Sequence, residues 1–181
     1  MKVLVTGATG FIGYYVIHEM IGRGCEVVAT DIDSTKAKEK DWFGRVSFVE
    51  HIIGEEKKEE NLFKKFHQPD AMIHLAWQGL PNYKSSFHIK EGLPKQYSFL
   101  KKLIEDGLKD LTVAGTCFEY GMKSGCLNEE MIPEPANPYA QAKNTLRLFL
   151  EELKKVSVFN FKWVRLFYLY GKGQNPKSLL A

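Results

Sequence analysis

The opening stretch MKVLVTGATGFIG sets Gly7, Gly10 and Gly13 as a G-x-x-G-x-x-G run, directly after a short apolar strand and directly before a helical pattern. Glycine at those three places permits a tight turn, lets backbone N–H groups approach a pyrophosphate, and allows the helix to pack on the strand. The helix N-terminus adds partial positive charge for the phosphates. A glycine pattern alone is a weak signal, but its place between a first strand and a first helix makes it a dinucleotide-binding fingerprint. Gly7, Thr9, Gly10, Phe11, Ile12 and Gly13 are therefore candidate cofactor-binding residues.

The rest of the chain repeats strand-then-helix. KVLVT is followed by a helical pattern over Phe11 to Arg23, EVVATD by a short charged helix, and RVSFVE by NLFKKFH. AMIHLA precedes a long segment from Ser86 to Asp106, LTVAGT precedes the helix Asn137 to Lys155, and FKWVRLFYLYG closes the series. Strands that alternate with helices predict an α/β fold, a right-handed, doubly wound parallel sheet, with the expected order 3-2-1-4-5-6. Met122 to Pro138, with three prolines and no sustained periodicity, reads as a loop at the carboxyl edge of that sheet, where ligand crevices lie. The aromatic-rich run FNFKWVRLFYLYG reads as a strand buried on both faces, and a new helix is expected to begin after Gly171.

Two further features follow from this frame. Asp31 ends the second strand eighteen residues after Gly13, where a carboxylate can accept hydrogen bonds from ribose hydroxyls. It would repel the extra phosphate of NADP, so NAD is expected, although Ser34, Thr35 and Lys36 lie close enough to admit NADP. In NPYAQAK, Tyr139 and Lys143 stand four apart on a helix capped by Asn137, with Pro138 in its first turn, so phenol and ammonium share a face. A nearby lysine charge together with a nicotinamide cation is expected to lower the phenol pKa into a useful range. Thr116, at the end of the fifth strand, would stand over the same crevice and hydrogen-bond the oxygen whose proton Tyr139 exchanges.

Taken in order, TGATGFIG, Asp31, HLAW (His74 to Trp77), GTCFEYG, NPYAQAK and RLFYLYGKGQ resemble the extended short-chain dehydrogenase/reductase family, the NAD-dependent epimerase/dehydratase group acting on nucleotide sugars. The resemblance implies an NAD(P)-binding Rossmann fold and a catalytic set of Thr116, Tyr139 and Lys143, with Tyr139 as general acid/base. It implies that Lys143 also holds the nicotinamide ribose and that Leu75 and Ala76 line the cofactor. Dehydratases of this group carry an acidic pair directly after the threonine; here Cys117 and Phe118 stand there, so the resemblance implies a 4-epimerase or 4-ketoreductase. It also implies a smaller C-terminal substrate domain that is not in this sequence, so residues 1–181 are expected to be the dinucleotide-binding domain. A non-catalytic dinucleotide-binding fragment or sensor is the alternative. Relatives commonly carry Gly-Asp against the adenine after strand three, and here His51 or Ile52 is expected in its place. A homodimer through helices 86–106 and 137–155 is implied by resemblance only.

Composition narrows the partners. A chain of 181 residues with 44% hydrophobic and 26% charged residues suits one soluble domain. Its net charge of +3 is spread over interleaved lysines and acids, so no nucleic-acid partner is expected. No apolar stretch approaches the roughly 20 residues of a membrane span, and the N-terminus reads as a strand, not a signal. Three cysteines without C-x-x-C spacing and five scattered histidines predict reduced thiols, a cytoplasmic location and no metal site. Cys117 has no histidine spaced to activate it and reads as a small hydrophobe. His74 is expected in the core, while Trp77, Tyr83 and Phe87 could equally wall a substrate or pack the loop beneath them.

Overall fold

A computed structural model describes residues 1–174. Most of the helix expected to begin after Gly171 lies outside them. The six strands are β1 (Lys2–Thr6), β2 (Glu26–Asp31), β3 (Ser47–Glu50), β4 (Ala71–His74), β5 (Asp110–Thr116) and β6 (Asn160–Leu166). All five pairings are parallel, in the order β3-β2-β1-β4-β5-β6 that the alternation predicts. The helices are α1 (Phe11–Gly22), α2 (Ser34–Lys38), α3 (Leu62–Lys65), α4 (Leu93–Asp106) and α5 (Pro138–Leu153).

The strand period of two splits the apolar residues between two layers. Val3, Val5, Val27 and Ala29 face α1 and α2, packing with Ile17, Ala37 and Trp42. Leu4, Val28, Met72, Leu111 and Val113 point the other way, against Phe99, Leu100 and Leu103 of α4 and Leu146 and Leu150 of α5. Chain order reverses between β1, which pairs with β2, and β4 on its other side. That switch point opens a crevice at the carboxyl ends of the strands, where α/β sheets bind ligands.

Three sequence expectations need correction. The segment from Ser86 is not one helix: a π-helical turn, His88–Gly92, precedes α4, and its residue His88 is fully buried. β6 stops at Leu166 and, among the described residues, is covered on one face only. Phe161 and Trp163 pack on the α4/α5 side, while Val164 is 44% exposed and Phe167, Tyr168 and Tyr170 lie open. A continuous apolar run reports strand propensity but not how many faces a neighbour covers, and β6 is an edge strand. The NLFKKFH helix is a single turn, α3, capped by the Asn61 side chain.

Candidate active site

The glycine loop fits its cradle because no side chain would. Gly7 adopts φ +68°, and a Cβ there would lie 2.9 Å from the Ala76 nitrogen. A Cβ on Gly13 would come within 2.2 Å of the Gly7 carbonyl oxygen. The loop is latched to β2 by Asp31, whose Oδ2 accepts hydrogen bonds from the Thr9 nitrogen (2.9 Å) and hydroxyl (2.8 Å). Above it runs a cleft of about 570 Å³ lined by Gly7, Thr9, Gly10, Asp31, Leu75 and Ala76, with Lys36 at the β2 end. This is within the size range of cofactor sites. Thr30 also lines it, buried, its hydroxyl without a partner among the described residues. A tight backbone cradle, an acid at the carboxyl end of β2 and a buried hydroxyl without a partner among the described residues fit a dinucleotide.

At the far end His51, Ile53 and Phe99 line the cleft. The His51 ring centroid lies 5.5 Å from that of Phe99, whereas Ile52 is exposed. A second cleft of about 230 Å³ continues over Phe11, Ile12 and Gly13 to Tyr139 and Lys143. The predicted cofactor-binding residues thus line one groove or the other. Gly7, Gly10, Leu75, Trp77 and Leu80 border both.

Asn137 caps α5 through the Ala140 N–H (2.9 Å), which places Tyr139 in the first turn and Lys143 one turn on. The Lys143 ammonium is buried and donates to the Ala114 carbonyl at 2.8 Å. Burial pulls it down to about 7, against a smaller opposing effect of Glu119. The Thr116 hydroxyl accepts from the Phe118 N–H at 3.3 Å and lies near the Tyr139 phenol. The expected depression of that phenol counts on a nicotinamide cation, and the protein's own groups act in the opposite direction. Burial, with Tyr83 and Glu119 nearby, pushes Tyr139 above its ordinary value, and Thr116 pulls the other way. Trp77, Tyr83 and His88 pack around its ring at 5.9, 5.5 and 5.4 Å. Cys117 is a half-buried thiol pushed upward by burial, which makes it a poor nucleophile.

Glu119 is the residue that sequence reasoning passed over. The strand ends at Thr116 and the chain turns into a 3-10 helix, Cys117–Tyr120, so strand alternation no longer applies. Glu119 is fully buried, accepting from the Thr116 nitrogen (2.8 Å), Trp163 Nε1 (3.0 Å) and Arg165 Nε (2.9 Å). Thr116 and Glu119 form a capping box, and the T-x-x-E spacing was the available signal.

His74 plays the core role expected of it. Its Nδ1 meets the Thr6 hydroxyl at 2.8 Å and its Nε2 meets Gln96 Oε1 at 2.7 Å. The Thr6 oxygen already accepts from the Leu75 and Ala76 N–H groups, so it donates to Nδ1, and the histidine proton sits on Nε2. Burial, then the charge of Lys143, push His74 from 6.5 down to about 3. Below its ordinary pKa the unfolded chain binds a proton that the fold refuses, so stability is complete above that value and falls as pH drops toward the folded one. Urea denaturation is expected to show a loss of about 2 kcal/mol between about pH 7 and about pH 5. Equal stability at the two pH values would contradict this assignment.

Among the described residues no helix is long and apolar enough to cross a membrane, and no three His, Cys, Asp or Glu side chains cluster as metal ligands.

A parallel doubly wound sheet, with a glycine cradle at its switch point and a Tyr-x-x-x-Lys helix beside it, defines the dinucleotide-fold class. The chain belongs to the NAD dependent epimerase/dehydratase family, whose profile matches residues 3–181. It is 32% identical to a dTDP-6-deoxy-L-talose 4-dehydrogenase (NAD(+)) of Aggregatibacter actinomycetemcomitans, over 100% of this chain and 66% of that protein. It is 24% identical to a UDP-glucose 4-epimerase of Halalkalibacterium halodurans, over 100% of this chain and 54% of the relative. A crystal structure of the Thermotoga maritima UDP-glucose 4-epimerase with UDP-glucose superimposes with a TM-score of 0.82 at 25% identity, covering 100% of this chain and 60% of that one. The UDP-glucuronic acid 4-epimerase of Bacillus cereus, solved with UDP-glucuronic acid and NAD, gives a TM-score of 0.81 at 24% identity over 98% and 60% of the two chains, a likeness of fold. The chain thus spans between about half and two thirds of the relatives it matches.

Proposed function

We propose that residues 1–181 are the dinucleotide-binding domain of an enzyme that interconverts a hydroxyl and a keto group at C4 of a nucleotide-linked hexose, as a 4-epimerase or a 4-ketoreductase. The observation that carries this reading is that Tyr139 and Lys143 line the cleft that continues the glycine cradle, with Thr116 near the Tyr139 phenol. The relatives named for a 4-dehydrogenase and a 4-epimerase supply the substrate class.

NAD, when bound, supplies the hydride acceptor or donor, its pyrophosphate over Gly7 to Gly13 and its ribose at Asp31. Asp31 favours NAD over NADP, and Lys36 is the side chain that would serve the alternative. Tyr139 takes the proton from the sugar hydroxyl or returns it. The Lys143 ammonium favours the phenolate and reaches the nicotinamide ribose, and the Thr116 hydroxyl steadies the reacting oxygen. α4 and α5 lie side by side, with Tyr97 against Phe149 at 5.2 Å and Leu148 exposed, and would form a homodimer seam. The free thiols of Cys25, Cys117 and Cys126 suit a cytoplasmic location.

The second reading is a dinucleotide-binding module without turnover. Mixing the chain with NAD and dTDP- or UDP-linked hexoses separates the two. The proposal expects absorbance of reduced nicotinamide, or a C4-inverted sugar by NMR. NAD binding with neither product would favour the module.

A further inference from the structure

Trp77 meets both members of the tyrosine–lysine pair. Lys143 Nζ lies over its indole ring, 4.2 Å from the ring centre, and the Tyr139 ring meets it edge-on. The ammonium, enclosed by the fold, has the Ala114 carbonyl as its hydrogen-bond acceptor. The π-face is thus its second favourable contact.

The indole is itself held. Its Nε1 donates to His88 Nδ1 at 3.1 Å, and His88 Nε2 meets the Asn82 carbonyl at 2.8 Å. An indole N–H can only donate and a carbonyl can only accept, so Nδ1 is bare and the proton is on Nε2. Every link from Asn82 through His88 to Trp77 therefore has a fixed direction, and the two rings lie nearly parallel, at 29°.

We propose that Trp77, tethered by His88, is a positioning residue that keeps the Lys143 ammonium charged and in place beside Tyr139. This rests on the reading of Tyr139 and Lys143 as the proton-handling pair. Because burial brings Lys143 to about 7, a modest contact decides whether it is charged near neutrality. A desolvated cation–π contact is worth about one pH unit or more. The other titratable groups around the ammonium are Glu119 on the turn after β5, held by Arg165 of β6, together with His74 on β4, His88 before α4 and Tyr139 on α5 itself.

The test follows Lys143 by side-chain NMR of carbon-labelled lysine in the full chain without nucleotide, with Lys143→Met identifying the signal. Trp77→Phe keeps an aromatic face, whereas Trp77→Leu keeps comparable bulk without one. The Lys143 midpoint is expected about one pH unit lower in the leucine variant than in the phenylalanine variant. Equal midpoints overturn the proposal. Should Trp77→Leu fail to fold, Trp77→Met provides the same contrast. His88→Gln, which can accept from the indole and donate to the carbonyl, is expected to keep the wild-type midpoint, and His88→Leu to lower it. A wild-type midpoint in His88→Leu would remove the tether. If Lys143→Met retained turnover, the functional reading would fall, while the midpoints would still decide whether Trp77 holds the charge.

Discussion

Tyr139→Phe is expected to lower turnover of a nucleotide sugar by about 10²- to 10⁴-fold, the usual contribution of a positioned acid or base. The substitution removes one oxygen and leaves the ring, which Trp77, Tyr83 and His88 continue to hold. The Tyr139 backbone nitrogen keeps its bond to the Tyr83 carbonyl at 3.1 Å, and the Asn137 cap is untouched. Folding stability is therefore expected to stay near wild type. Affinity for NAD should change little, because the proposal puts the pyrophosphate over the glycine cradle and a ribose at Asp31, away from the phenol. The decisive measurement is kcat beside the dissociation constant for NADH. Unreduced kcat would show that the sugar proton travels by another group, and a collapse of NADH affinity would show that the phenol serves binding first.

Glu119→Ala is expected to cost about 3–5 kcal/mol of folding stability in urea denaturation, the scale of breaking a buried ion pair from one side. The Arg165 side chain is only 11% exposed, so its charge would lose its carboxylate without gaining much water. The Trp163 indole N–H and the Thr116 backbone N–H would lose their acceptor as well. Glu119→Gln keeps an acceptor but not the charge and should fall between alanine and wild type. A loss under about 1 kcal/mol would place the pair with ordinary surface salt bridges. Because the same carboxylate closes the turn that carries Thr116, the alanine variant should also lose turnover at temperatures where it remains folded.

The strand order was legible because period-two apolar runs alternate with helical stretches, and because Gly7, Gly10 and Gly13 admit few alternatives between a strand and a helix. The grouping of Tyr139 with Lys143 was legible from helical geometry and Asn137. What escaped the sequence depends on long-range contacts. His88 is recruited by Trp77 and Asn82, which no local pattern announces, and the turn around it interrupts what reads as one helix. β6 has the composition of a covered strand, yet among the described residues one of its faces is open. Glu119 escaped because two of its partners, Trp163 and Arg165, lie far along the chain on β6, although the capping spacing was present. The upward push of burial on Tyr139 was not legible because it depends on Trp77, Tyr83 and His88, residues far from Tyr139 in sequence.

The placement of Trp77 gives the molecule a built-in optical gauge. Of its three tryptophans, Trp42 is buried behind β1 and β2 and Trp163 is engaged with Glu119 on β6. Only Trp77 of these borders both grooves. Its emission overlaps the absorption band of a reduced nicotinamide, so cofactor arrival in those grooves can be timed in the unlabelled protein, and the part of the quenching lost in Trp77→Phe is the part that Trp77 supplies.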